Sequence, residues 1–125
     1  MEIIGIGTDI IEIERIKKAS QNERFIAKIF TDREAEYFKK RNLKPESIAG
    51  TFSAKEAVSK SVGTGIREFP FKDIEILRDE KGKPYVNPLN DFKKFCDENG
   101  ISEVKISISH CREYAVANAI AIAKE

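Results

Sequence analysis

Phe52, Glu56, Lys60 and Gly63 are spaced by four, four and three residues. On a helix such positions fall along one stripe. A carboxylate, an ammonium and then the loop Gly63-Thr64-Gly65 suit a ligand that carries phosphate. In that arrangement Glu56 holds a cation, Lys60 neutralises phosphate oxygens, and the glycine-flanked loop offers backbone N–H groups. The plainer alternative is an exposed Glu–Lys pair contributing about 0.2–0.5 kcal/mol.

Asp9 is a second candidate carboxylate. Mg²⁺ takes one or two protein carboxylates and completes its shell with water and substrate phosphates. Asp9 and Glu56 meet that need if the segment bearing Asp9 packs beside the helix bearing Glu56; otherwise Asp9 is a strand-end or helix-capping residue. His110 is the only histidine. It is open to three roles: a phosphate contact, a proton acceptor, or a strand-end residue with its hydrogen bonds satisfied. No G-x-S-x-G elbow is present, and Ser107-Ile108-Ser109-His110 is too local to make a triad by itself. Walker and dinucleotide-binding glycine patterns are absent too.

The elements that must position these groups follow from periodicity. Residues 2–11 alternate as a strand, with Ile4, Ile6, Thr8 and Ile10 on one face and Gly5, Gly7 and Asp9 on the other. Two glycines before a carboxylate leave a bare surface that another element can approach closely. Helices are expected from about residue 13 and near 22–29, and Thr31-Asp32-Arg33-Glu34 reads as a capping box opening a third toward Lys40. Pro45 begins a long helix, roughly 46–62, which Gly63 stops. Lys72–Asp79 alternates as a strand, and a turn leads to a short strand at Tyr85-Val86. Asn87-Pro88 is expected to cap a helix ending before Gly100. Glu103–His110 and Tyr114–Ala123 form a hairpin around Arg112-Glu113. In the last strand Ala115, Ala117, Ala119, Ala121 and Ala123 share a face that permits close approach of a helix or of another subunit. The expected fold is α+β, an antiparallel sheet packed against a long central helix, in a single domain over residues 1–125.

Bulk properties bound the function. A chain of 125 residues, 41% hydrophobic and 34% charged, suits one globular domain and is too short for two. No run approaches the ~20 apolar residues that span a bilayer. The acidic start lacks a signal-peptide pattern, so a cytoplasmic, membrane-free protein is expected. Cys96 and Cys111 fit no metal or redox spacing and read as free thiols. Net charge is +1, yet residues 15–44 carry about +6 and the remainder about −5. Such a field attracts an acidic partner. It does not mark a nucleic-acid binder, because the whole chain is nearly neutral and most aromatics of that segment sit at core spacing.

Three blocks together resemble the holo-acyl-carrier-protein synthases, the small bacterial type of 4′-phosphopantetheinyl transferase. They are Gly5-Ile6-Gly7-Thr8-Asp9-Ile10 with Glu12–Ile16, then Phe52-Ser53-Ala54-Lys55-Glu56-Ala57 through Lys60 to Gly63-Thr64-Gly65-Ile66, and finally Ser107–His110 with Glu113-Tyr114-Ala115. Gly82-Lys83-Pro84 fits between them, and the likeness runs in order from Ile4 to about Ala123. Two positions depart from the family pattern: Ser53, where alanine is frequent, and Cys111, where threonine commonly follows the histidine.

The resemblance implies transfer of 4′-phosphopantetheine from coenzyme A to a serine of apo acyl carrier protein, releasing adenosine 3′,5′-bisphosphate. It implies Mg²⁺ held by Asp9 and Glu56, with Lys60 and His110 as further catalytic groups. The proton acceptor stays open among a metal-bound water, Glu56 and His110. Lys55, Lys60, Gly63, Thr64, Gly65, Lys83, Pro84, Ser109 and His110 are implied to contact coenzyme A. Arg15, Arg24, Phe25 and Lys28 are implied to dock the acidic carrier protein, and a homotrimer with active sites between subunits is implied as well. Two other readings compete. A metal-dependent phosphohydrolase would use the same carboxylates with water as acceptor, and a non-catalytic domain would use its basic helices to bind an acidic protein.

Overall fold

The computed structural model describes residues 1–63 and 68–125. The alternating N-terminal segment forms strand β1 (Ile3–Glu12), followed by three short helices, α1 (Ile13–Ala19), α2 (Glu23–Ile29) and α3 (Asp32–Lys40). The capping box opens α3 as expected. Glu34 N–H donates to Thr31 Oγ1 at 3.2 Å, and Thr31 N–H donates to Glu34 Oε1 at 2.8 Å. The long helix α4 (Pro45–Ser61) begins with proline in its first turn, where a missing N–H removes no intrahelical bond. Gly63 follows its end at φ +79°, a conformation that favours glycine.

After a 3₁₀ turn (Phe71–Asp73) come β2 (Ile74–Arg78), β3 (Pro84–Pro88), α5 (Asn90–Glu98), β4 (Ile101–His110) and β5 (Tyr114–Ala123). Among the described residues the strands form two antiparallel sheets, β1-β5-β4 and β2-β3. The expected α+β class, with an antiparallel sheet against a long helix, is what the chain adopts.

Around Asp73 the boundaries of two elements differ from the sequence expectation. The strand expected from Lys72 starts only at Ile74, because Asp73 turns inward. Its carboxylate accepts the Asp91 N–H at 3.1 Å and the Asn90 side-chain amide at 3.3 Å. Asp73 therefore satisfies the start of α5 from a distant segment. Asn87 and Pro88, expected to cap that helix, belong instead to β3, and Asn87 donates its side-chain amide to Glu75 Oε1 at 3.0 Å.

Helix α4 lies across the three-stranded sheet. Ala115, Ala117, Ala119 and Ala121 are buried beneath it, so the alanine face receives a helix of the same chain. Gly5 and Gly7 bring β1 equally close. A Cβ built on Gly7 would overlap the Ala57 carbonyl oxygen and lie 2.8 Å from Ser61 N. Nearer the start of α4, a Cβ on Gly50 would sit 2.9 Å from Ile108 Cγ2 of β4. One core holds Val58, Phe69, Ile74, Ile76 and Phe92; a second, around Ile16, Phe30, Phe38 and Ile48, joins α1–α3 to α4. The other face of the large sheet is different: Ile4, Ile6, Ile10 and Ile120 are all exposed there, Ile6 to 68%.

Candidate active site

The close approach of β1 to α4 carries Asp9 onto the helix face that bears Glu56 and Lys60. Asp9 Oδ1 lies 3.4 Å from Lys60 Nζ, and that ammonium donates to Thr8 O at 3.0 Å. Ser53, fully buried on the same helix, has its hydroxyl 3.0 Å from Asp9 Oδ2 and 3.0 Å from Asp9 O. Asp9 and Glu56 both line a cavity of about 370 Å³ that also exposes Arg15, Phe25 and Phe52. The strand and helix thus meet as the Mg²⁺ reading required. Two carboxylates beside an ammonium, with open space in front, match the donor set of a hard cation that keeps water and phosphate ligands. Among the described residues no group of three His, Cys, Asp or Glu side chains could hold a metal, so a closed cage of the zinc type does not fit.

His110 stands elsewhere. It ends β4, two strands from β1, and the helix that touches Asp9 through Ser53 and Ile108 through Gly50 runs between them. There it lines a second cavity, of about 220 Å³, with Tyr37, Arg41, Lys44 and Arg78. Arg78 lies 4.3 Å over the Tyr37 ring and donates through Nη2 to Thr51 Oγ1 at 3.0 Å, while its buried Nη1 has no protein partner. Sequence reasoning missed Arg41, Lys44 and Arg78 here. In the sequence Arg41 and Lys44 stand only as part of the basic segment 15–44, and no local spacing ties either to β2 or β4.

Lys55 requires a correction. Its ammonium is fully buried, and the partners it meets all lie in the core. It lies 2.8 Å from Glu34 Oε1 and donates to Phe71 O at 3.0 Å and Ile74 O at 2.7 Å. Three acceptors saturate its three N–H donors. Burial pulls the Lys55 ammonium below its ordinary pKa, against the opposing pull of Glu34, and burial raises Glu34 above the usual carboxylate range. Lys55 is one step round the helix from Glu56, and that step takes it from the cavity into the core.

The remaining candidates are dispersed. Gly63 is exposed after α4, and Thr64 and Gly65 lie outside the described residues. Lys83 and Pro84 stand at the β2–β3 turn, where Asp79 Oδ1 accepts the Lys81 and Lys83 N–H groups at 2.9 Å each. Ser109 is exposed on the sheet face opposite His110. Arg15 and Phe25 border the Asp9 cavity, Phe25 stacking on Phe52 with centroids 6.0 Å apart, and Arg24 and Lys28 are exposed on neighbouring α2. No described helix is long and apolar enough to cross a membrane.

An antiparallel α+β fold that sets two carboxylates and an arginine around one open cavity, with a lysine paired to one of the carboxylates, is of a class suited to phosphoryl-group chemistry. Comparison with known proteins narrows this class. The sequence matches the 4′-phosphopantetheinyl transferase superfamily over residues 5–119. It is 54% identical over 123 residues to a holo-[acyl-carrier-protein] synthase of Clostridium perfringens, covering 94% of this chain and 92% of that one. In structure it is similar to the Neisseria meningitidis holo-[acyl-carrier-protein] synthase, with a TM-score of 0.89, 35% identity, and coverage of 97% and 99% of the two chains. It is also similar to the Bacillus anthracis holo-(acyl-carrier-protein) synthase in complex with CoA (3′,5′-ADP), with a TM-score of 0.79, 39% identity and 98% of each chain covered.

The chain belongs to the 4′-phosphopantetheinyl transferase superfamily, within its holo-[acyl-carrier-protein] synthase family. It is an enzyme, a transferase.

Proposed function

We propose that this enzyme moves 4′-phosphopantetheine from coenzyme A to a serine of apo acyl carrier protein, with Mg²⁺ at Asp9 and Glu56. The observation that carries this reading is the single cavity lined by Asp9, Glu56 and Arg15, with Lys60 paired to Asp9 at 3.4 Å. The Bacillus anthracis relative, described in complex with CoA (3′,5′-ADP), supports coenzyme A as the donor.

In the reaction the serine oxygen forms a bond to the phosphorus on the pantetheine side. The bridging P–O bond then breaks, and adenosine 3′,5′-bisphosphate leaves with that oxygen. Bound Mg²⁺ would supply charge stabilisation on the pyrophosphate. Lys60, held beside Asp9, would add a second positive charge to offset the negative charge developing on the leaving group. Glu56, in the cavity, and His110 are this chain's own candidate acceptors for the serine proton. Arg41, Lys44 and Arg78 line the His110 cavity against one carboxylate, Glu46, and this excess of positive charge suits the phosphate-bearing nucleotide end. Because α4 separates that cavity from Asp9 within one chain, a site built from both needs a neighbouring subunit. The exposed Ile4, Ile6, Ile10 and Ile120 face offers the apolar surface for such an assembly, and we propose a homotrimer.

The acidic carrier protein docks on Arg15, Phe25, Arg24 and Lys28, beside the cavity, where complementary charge speeds encounter. A cytosolic site of action fits the two unpaired thiols, Cys96 and Cys111.

The test is the intact mass of apo acyl carrier protein incubated with the enzyme, coenzyme A and Mg²⁺. Addition of one phosphopantetheine, abolished by EDTA and by Glu56→Ala, is the expected result. Release of adenosine 3′,5′-bisphosphate with no mass gain on any carrier protein would refute transfer in favour of hydrolysis.

A further inference from the structure

We propose that Ser53 is a positioning residue for Asp9 and raises the affinity of the site for its divalent cation. The inference rests on the reading of Asp9 and Glu56 as cation ligands.

Ser53 lies in the middle of α4 with no solvent exposure. A buried serine at such a position commonly turns its hydroxyl back onto the carbonyl one turn earlier. Here the hydroxyl reaches across to β1 instead, to Asp9 Oδ2 and Asp9 O, each at 3.0 Å. Its single proton serves one acceptor at a time, and both acceptors belong to Asp9. The other carboxylate oxygen, Oδ1, faces Lys60 at 3.4 Å. Ser53, Glu56 and Lys60 are spaced by three and four, so one helix face carries the hydroxyl, the second carboxylate and the ammonium.

The consequence is a carboxylate whose rotation is restrained before any cation arrives. Oδ2 is tied to a buried donor that water cannot replace, which leaves Oδ1 turned toward Lys60. Hydrogen bonds from outer residues to ligating carboxylates fix their orientation, and losing one lowers metal affinity or activity by about 10–100-fold. Ordering Asp9 during folding also removes that entropy loss from the binding step. Alanine at this position retains the backbone and Cβ and loses only the oxygen. It is also the better helix former, so Ser53→Ala is expected to fold.

The experiment titrates Mn²⁺ into the full-length enzyme with coenzyme A present and counts free Mn²⁺ by electron paramagnetic resonance. Wild type, Ser53→Ala and Asp9→Ala are compared, with urea unfolding of each. Mn²⁺ affinity is expected to fall about tenfold in Ser53→Ala and to be lost in Asp9→Ala. In carrier-protein turnover, Ser53→Ala should raise the Mg²⁺ concentration for half-maximal rate by a similar factor and keep the rate at saturating Mg²⁺ within about twofold. A Ser53→Ala affinity equal to wild type, with Asp9→Ala inactive in binding, would overturn the role of Ser53 and leave the cation site standing. Lower unfolding stability with unchanged Mn²⁺ affinity would likewise reduce Ser53 to packing. If wild type binds no Mn²⁺, or Asp9→Ala binds as well as wild type, the cation reading fails and this inference fails with it.

Discussion

Replacing Gly7 by alanine tests the contact on which the whole site depends. The added Cβ would overlap the Ala57 carbonyl oxygen and lie 2.8 Å from Ser61 N and 2.9 Å from Ala57 C, whereas ordinary contact begins near 3.4 Å. All three obstacles are helix backbone, so no rotamer change can relieve them. Strand β1 is tied along its length to β5, and the buried alanine face of β5 is already filled by α4. Relief therefore needs β1 and α4 to separate by more than about 1 Å, which opens gaps along their interface. Overpacking of this kind usually costs about 1–3 kcal/mol, and rigid backbone on both sides places Gly7→Ala near the upper end, about 3 kcal/mol. At this chain length that corresponds to a drop in Tm of roughly 10–15 °C. Urea unfolding at one fixed protein concentration is the assay, with Gly82→Ala as the comparison. Gly82 has φ +84° and open space around its Cβ position, so alanine there carries only backbone strain of about 1 kcal/mol. Because Asp9 is two residues beyond Gly7, the displaced strand should also lose turnover under conditions where the variant remains folded. A Gly7→Ala loss below about 1 kcal/mol, or no larger than that of Gly82→Ala, would refute the reasoning.

Lys55→Met leaves Glu34 buried without its ammonium partner and should cost about 3–5 kcal/mol near neutral pH. Burial already raises Glu34 above 4.5, and removing Lys55 raises it further, so the folded variant keeps a proton that the unfolded chain releases. Its stability should therefore fall as pH rises through and above about 4.5; equal deficits relative to wild type at mildly acidic and mildly alkaline pH would contradict this. Iodoacetamide at neutral pH should alkylate exposed Cys111, whose thiol the backbone N–H groups of Glu113 and Tyr114 hold below its ordinary value. Cys96, pushed up to about 11 chiefly by burial, should react only on unfolding, as peptide mass mapping will read. Arg15→Glu should raise the KM for carrier protein about tenfold with little change in coenzyme A binding, and equal loss of both would remove Arg15 from the docking surface. Ile6→Asp, on the exposed isoleucine face, should sediment as a monomer and lose transfer; an unchanged sedimentation coefficient would exclude that face as the subunit contact.

Local physics wrote a large part of this structure into the sequence. The Thr31–Glu34 capping box, the proline start and glycine stop of α4, and the β4–β5 hairpin each depend on residues a few positions apart, and each forms as its spacing implies. The glycine face of β1 likewise announced a close approach, although not which element would make it. Other features depend on groups far apart in the chain, and no periodicity reports them. Lys55 and Glu56 are neighbours in sequence, yet Glu34, Phe71 and Ile74 draw the lysine inward while Glu56 borders the open cavity. The start of α5 moved two residues because Asp73, from another segment, accepts the Asp91 N–H and the Asn90 side-chain amide. Residue types and short-range spacing thus determined the elements and the candidate chemical groups. Only the tertiary structure decided which of those groups face each other, because a helix's rotation is set by the distant donors and acceptors that its buried side must satisfy.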